Sequence, residues 1–290
     1  MITLWLADNV IAGAYASFYQ RSVNDGLSFS NGSLSTSTRG ISISETTKYI
    51  TIATNSNVML SSDFGQTFIA APLPSAVYYC ASMSQDGKYQ LVTQSSGDTY
   101  KSIDYGSTWQ LAVTGGRRDC FVSRTGQYQL TTNIDAANIT RSTNYGANWS
   151  TITGLGIISA VCCSDDGQYI TAVGLGNTIK VSADGGLTWT SKATLGNFTT
   201  PKAAMSFDGK YQTLIGSNKF IHISSDYGAT WTVNTNTLNN VYYTCLDISK
   251  DGKTQVTAVS TGYIYVSSDY GSTWNQKGDI LNYQAIAISG

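Results

Sequence analysis

One eight-residue phrase returns seven times in this chain of 290 residues. Its copies are "SVNDGLSF" (22–29), "SSDFGQTF" (61–68), "SIDYGSTW" (102–109), "STNYGANW" (142–149), "SADGGLTW" (182–189), "SSDYGATW" (224–231) and "SSDYGSTW" (267–274). Their third residues are Asn24, Asp63, Asp104, Asn144, Asp184, Asp226 and Asp269, spaced 39, 41, 40, 40, 42 and 43 apart. A fixed period of this length marks a repeat architecture, in which each unit covers its apolar faces with its neighbours.

A second motif runs in phase with the first. "SQDGKYQ" (84–90), "SRTGQYQ" (123–129), "SDDGQYI" (164–170), "SFDGKYQ" (206–212) and "SKDGKTQ" (249–255) are clear copies, and "SETTKYI" (44–50) is a worn one. Between the two motifs lie short runs rich in Val, Ile, Thr and Tyr, residues that suit a pleated, half-buried surface. An Asp-Gly pair between such runs is a strong hairpin signal. In the third unit, 78–84, 88–94, 99–103 and 108–113 read as four strands, A to D. Four strands every forty or so residues are the signature of propeller blades. The expectation is an all-β fold, a seven-bladed β-propeller of four-stranded antiparallel blades, with residues 1–290 as one domain. The chain ends on "AIAISG" (285–290), the start of a unit without its remainder, so the C-terminal strand is expected to pair with the N-terminal blade and close the ring. The segment "ITLWLA" (2–7) competes for the same innermost place.

Ser-x-Asp-x-Gly-x-Thr-Trp resembles the Asp-box, or BNR repeat. The chain is thereby similar to the propellers of sialidases, xyloglucan-cleaving glycosidases, sortilin-type receptors and photosystem II assembly factors. The resemblance implies the fold. It does not choose among the functions, because those relatives do different work.

The repeated acid reads as structural. Asn stands at two of the seven positions, keeping the hydrogen-bond acceptor but losing the charge, and a catalytic group is needed once rather than once per blade. The Asp or Asn accepts from backbone N–H groups of its own turn, the Gly supplies a left-handed backbone, and the terminal aromatic anchors the outer strand. Five of the six Trp residues occupy that last place. The same reasoning makes hairpin residues of Asp86, Asp166, Asp208 and Asp251.

Strand parity puts all of these turns on one face, here termed the bottom, and gathers the B–C loops and D-to-A links on the other, the top. Function is expected where the loops do not repeat. A sialidase site needs three arginines and a Tyr–Glu pair, and the only Glu, Glu45, falls in a bottom turn. Top-face carboxylates include Asp119 and Asp135, one unit's pair beside Arg117 and Arg118, which a glycoside hydrolase would require to face each other across a cleft. The favoured reading is a noncatalytic binding or scaffold propeller, with Arg117, Arg118, Asp119, Asp135, Tyr79 and Tyr243 contacting a glycan or protein partner; Tyr with small polar residues is the composition of adaptable recognition surfaces. The hydrolase is one alternative, and a structural component of a larger assembly, such as a virion, is another.

Charged residues are only 12% of the chain and the net charge is −1, which gives no electrostatic footprint for nucleic acid. No run of eighteen apolar residues suggests a membrane span, and no signal peptide is read at the start, so a soluble monomer is expected. The five cysteines are an odd number without a Cys-x-x-Cys pair. They are read as buried free thiols in A strands, with no metal or cofactor implied.

Overall fold

The computed structural model describes residues 10–14, 18–22, 30–33 and 36–289, apart from 96, 116, 134, 176–177, 193–199, 217–219 and 235–240. Every regular element among them is a β-strand, and the strands form four-stranded antiparallel sheets. In the unit quoted above, the strands are Tyr78–Met83, Gln90–Gln94, Thr99–Ser102 and Gln110–Val113, paired in that order. Six sheets are built this way from strands consecutive in sequence. Their A strands are Thr38–Ile43, Tyr78–Met83, Arg117–Val122, Ile158–Cys163, Lys202–Met205 and Tyr243–Ile248. These are the first to sixth blades below.

One further sheet is composite. Its A strand is Tyr283–Ile288, which pairs with Val10–Ala14, followed by Phe18–Ser22 and Ser30–Ser33. Tyr283–Ile288 packs between the A strands of the sixth and first blades, and the other A strands succeed one another around the same axis. The molecule is therefore an all-β propeller whose ring is closed by its two ends. The competing segment 2–7 and the Asn24 turn lie outside the described residues.

Each blade buries its B strand on both faces: Ile50–Thr54, Gln90–Gln94, Gln129–Asn133 and Ile170–Gly174 are buried throughout. D strands such as Ile69–Ala70 form the exposed rim. Separate apolar clusters fill the wedges between blades, for example Leu130, Ile139, Ile158, Val161 and Ile170.

The repeated motifs are the bonds between and within these wedges. In the first blade Ser61 Oγ donates to Asp63 Oδ1 (2.7 Å), Thr67 N donates to the same oxygen (3.0 Å) and Thr67 Oγ1 donates to Oδ2 (2.6 Å). The pattern repeats at Asp104, Asp184, Asp226 and Asp269. These bonds to the ionised form hold the carboxyls of Asp63 and Asp184 down at about 2. Asn144 keeps the bond from Asn148 N (2.9 Å), but Asn148 has no hydroxyl to add the third. Each Trp indole that ends an octapeptide, as in Trp109, donates to the carbonyl of the turn's Gly (3.0 Å at Trp109).

Two further devices join neighbouring blades. The Tyr of the second motif lies against the turn Gly of the next blade: a Cβ on Gly87 would stand 2.7 Å from Tyr49, and one on Gly126 would collide with Tyr89. The same Tyr stacks on the aromatic of the next blade's octapeptide, Tyr49 on Tyr105 and Tyr211 on Tyr270 at 4.9 and 4.3 Å. Those partners sit in the left-handed region, Tyr105 at φ 61 and Tyr270 at φ 60, a placement costing roughly 1–2 kcal/mol that the stacking offsets in part. The Gln that follows the Tyr is a clamp. Gln90 Nε2 donates to Gly87 O (2.8 Å) while its Oε1 accepts from Thr51 Oγ1 of the preceding blade (2.7 Å). Gln212 and Gln255 do the same with Thr171 and Thr213.

Candidate functional site

The A strands surround a channel of ≈ 230 Å³ along the propeller axis. Counting back from the Ser that follows each A strand, the residues four before it include one layer of the wall, Gly40, Cys80, Asp119, Lys202, Cys245 and Ala285, whereas Ala160 of the fourth blade is buried against Val173 and Leu214. A second layer lies two residues before the Ser and includes Ser82, Phe121, Cys162 and Asp247.

An A strand pairs with its own B strand on one edge only, so its other edge presents unpaired backbone groups. Channel side chains of the preceding blade meet them. Ser82 Oγ accepts from Val122 N (2.9 Å), Asp119 Oδ2 from Val161 N (3.1 Å) and Asp247 Oδ2 from Ile288 N (2.9 Å). The Cys80 thiol donates to Cys120 O (3.4 Å). Burial pushes the Asp247 carboxyl up to about 6, against the pull of its two N–H donors and of Arg124.

The upper layer carries one ion pair. Lys202 Nζ stands 3.9 Å from Asp119 Oδ1, joining the fifth blade to the third. Burial opposes the Lys202 charge, but Asp119 and then the channel thiols outweigh it and raise its pKa. Above this layer, Arg39 Nε donates to Asn55 Oδ1 (2.6 Å) and its guanidinium lies 5.7 Å from the Tyr79 ring at the channel mouth.

The residues expected at the site separate into distinct places. Arg118 is exposed at the top, and Arg117 begins its strand beside it. Tyr79 lines the mouth and Asp119 the channel. Asp135 is exposed on the B–C loop, where Asn133 Oδ1 accepts from its backbone N (3.0 Å), and it does not line the channel. Asp119 and Asp135 therefore do not act on one space, since Asp119 is turned to Lys202 and Val161. Tyr243 is a correction of another kind. It is 3% exposed and packs with Ile215, Ile221 and Val259, whereas its neighbour Tyr242 is 54% exposed. Register shifts between Tyr78 and Cys80 and between Tyr243 and Cys245 turn the first Tyr of the strand into the wedge. Lys202, absent from the expected site, is the group the channel brings to Asp119. The Ser that follows each A strand could have located it, by placing Lys202 and Asp119 at the same position.

The described cysteines are all free, Cys80 half-buried and the other four buried. Burial raises the thiols of Cys120, Cys162, Cys163 and Cys245. Among the described residues no group of three His, Cys, Asp or Glu side chains could hold a metal ion, and no helix is long and apolar enough to cross a membrane.

No protein-family model matches the chain, and no curated protein resembles it in sequence. Solved structures do share its fold. A structure described as "YCF48 bound to D1 peptide" is 15% identical, with a TM-score of 0.62 over 95% of this chain and 87% of that one. YCF48 from Cyanidioschyzon merolae is also 15% identical, with a TM-score of 0.65 over 90% and 88%. A functionally unknown protein from Desulfotomaculum acetoxidans is 10% identical, with a TM-score of 0.70 over 97% and 98%. At these identities the likeness establishes the β-propeller, and the work of the protein has to be argued from its own residues.

Proposed function

We propose that the chain is one seven-bladed propeller of the Asp-box type, the composite sheet completing the ring, and that it acts as a noncatalytic binding or scaffold protein through its top face. The observation that carries this reading is the fate of the repeated polar groups. The box acids, the hairpin acids and the clamp glutamines are consumed in bonds inside the fold, which leaves the non-repeating top as the place of individuality. Arg39, Tyr79, Arg118, Asp135 and Tyr242 form that surface, with Tyr243 buried beneath it as support. A protein partner is favoured over a glycan, since a structural neighbour is described as bound to a peptide. A hydrolase is disfavoured because Asp119 is engaged and Asp135 stands apart from it.

A displayed random-peptide library and a glycan array serve as probes. Binders selected on the wild type should lose affinity by about tenfold or more with Arg118→Glu or Tyr242→Ala, a loss of one well-placed contact. They should be indifferent to Lys88→Glu on the bottom. Binders sensitive to the bottom variant alone, or turnover of glycosides abolished by Asp119→Asn, would refute the reading.

A further inference from the structure

We propose that the Asp119–Lys202 pair is a receptor for a small zwitterion, a free α-amino acid being the simplest, inside the propeller channel. The two groups belong to the third and fifth blades, on either side of the fourth, and meet across the lumen. The small residues Gly40 and Ala285 line the same layer in the first blade and the composite sheet.

The two charges attract but do not hydrogen-bond to each other. Their separation of 3.9 Å exceeds the length of an N–H···O hydrogen bond. Asp119 Oδ2 is committed to Val161 N, which fixes the carboxylate and aims Oδ1 at Lys202. The ammonium has three donors, and 37% of the Lys202 side chain remains accessible within the channel, against 12% for Asp119. A buried-wall ion pair held rigid on one side, free on the other and too long to close is complementary to a ligand of opposite polarity. Its carboxylate would accept from Lys202, and its ammonium would donate to Asp119 Oδ1. The channel volume, ≈ 230 Å³, is far above the roughly 10–15 Å³ that a single water requires. Arg39 and Tyr79 at the mouth give the entry a cationic and aromatic rim. The inference is independent of which macromolecule meets the top face.

Two methionines, Met83 and Met205, line the channel, and the chain has only 4 in all, so methyl NMR of the labelled protein reads the site directly. Glycine is the probe, with acetate and methylammonium as its two halves. Glycine should shift the Met83 and Met205 signals saturably and leave Met59 unmoved, with an affinity at least about tenfold above either half, since each half forgoes one charged contact. Asp119→Asn and Lys202→Gln should each lower glycine affinity by about tenfold or more. Should a variant fail to fold, the comparison of glycine with its halves in the wild type decides alone. Acetate binding as tightly as glycine would replace the proposal with a plain anion site, and methylammonium doing so with a cation site. No saturable shift at any soluble glycine concentration would overturn it outright.

Discussion

The clamp glutamines allow the same substitution to be tried in two wedges that differ by one atom's partner. Gln90 and Gln129 are both 1% exposed and each donates through Nε2 to its turn carbonyl, Gly87 O at 2.8 Å and Gly126 O at 3.1 Å. Gln90 Oε1 accepts from Thr51, but the residue in Thr51's place before Gln129 is Leu91, and Gln129 Oε1 has no hydrogen-bond partner. Changing Gln90 to Leu removes two bonds worth about 1 kcal/mol each and strands the Thr51 hydroxyl at a further cost of about 1–3 kcal/mol. The added apolar area returns about 1–2 kcal/mol. The expected loss is about 1–4 kcal/mol. Gln129→Leu removes one bond and also abolishes a standing desolvation penalty of about 1–3 kcal/mol, so it should be neutral or stabilising by about 1 kcal/mol. In thermal unfolding followed by circular dichroism, the two variants should part by several degrees, at roughly 2–4 °C per kcal/mol for large domains. Thr51→Val added to Gln90→Leu should recover part of the loss. Equal destabilisation by Gln90→Leu and Gln129→Leu would refute the assignment of the Thr–Gln bond as the source of the difference.

Removing Tyr283–Gly290 strips the composite sheet of its inner strand and should abolish a single cooperative melt; an unchanged melting temperature would exclude closure by the two ends. Stability against pH should show two carboxylate effects of opposite sign. The box acids, depressed to about 2 at Asp63 and Asp184, contribute stability fully above the unfolded carboxylate range and lose it as pH falls towards 2. Asp247, raised to about 6, favours the fold below its unfolded pKa near 3.8 and withdraws that support as pH rises through 6, so Asp247→Asn should flatten the profile between those values when melting is followed across pH. Native protein at neutral pH should label slowly with a thiol reagent at Cys80 alone, and at all five cysteines in denaturant, because thiolate rather than thiol reacts and burial raises the other four; rapid native labelling of Cys162 or Cys163 would contradict the packing.

The sequence discloses the blade because each of its signals is local. Ser61, Asp63, Gly65 and Thr67 bond within one turn, so eight letters contain the whole interaction. The wedges are hidden because their partners lie about forty residues away. Nothing in "KYQ" reveals that its Gln reaches back to Thr51, or that its Tyr lies on the next blade's Gly, until the ring brings the units side by side. The channel is hidden for a subtler reason. Alternation places Tyr243 on the same face as Cys245 and Asp247, but the register shift after the first residue of the strand reverses the faces above it. Tyr78, Tyr243 and Tyr283 consequently fill wedges, while Tyr79 and Arg39, one residue further on, reach the mouth. Below the shift alternation holds, and it brings Asp119 and Lys202 into one layer although they stand 83 positions apart. A site of this kind is specified by the repeat rather than by any motif. The period decides which positions share a layer, the small residues at Gly40 and Ala285 leave the layer open, and the two blades that bring opposite charges to it supply its chemistry.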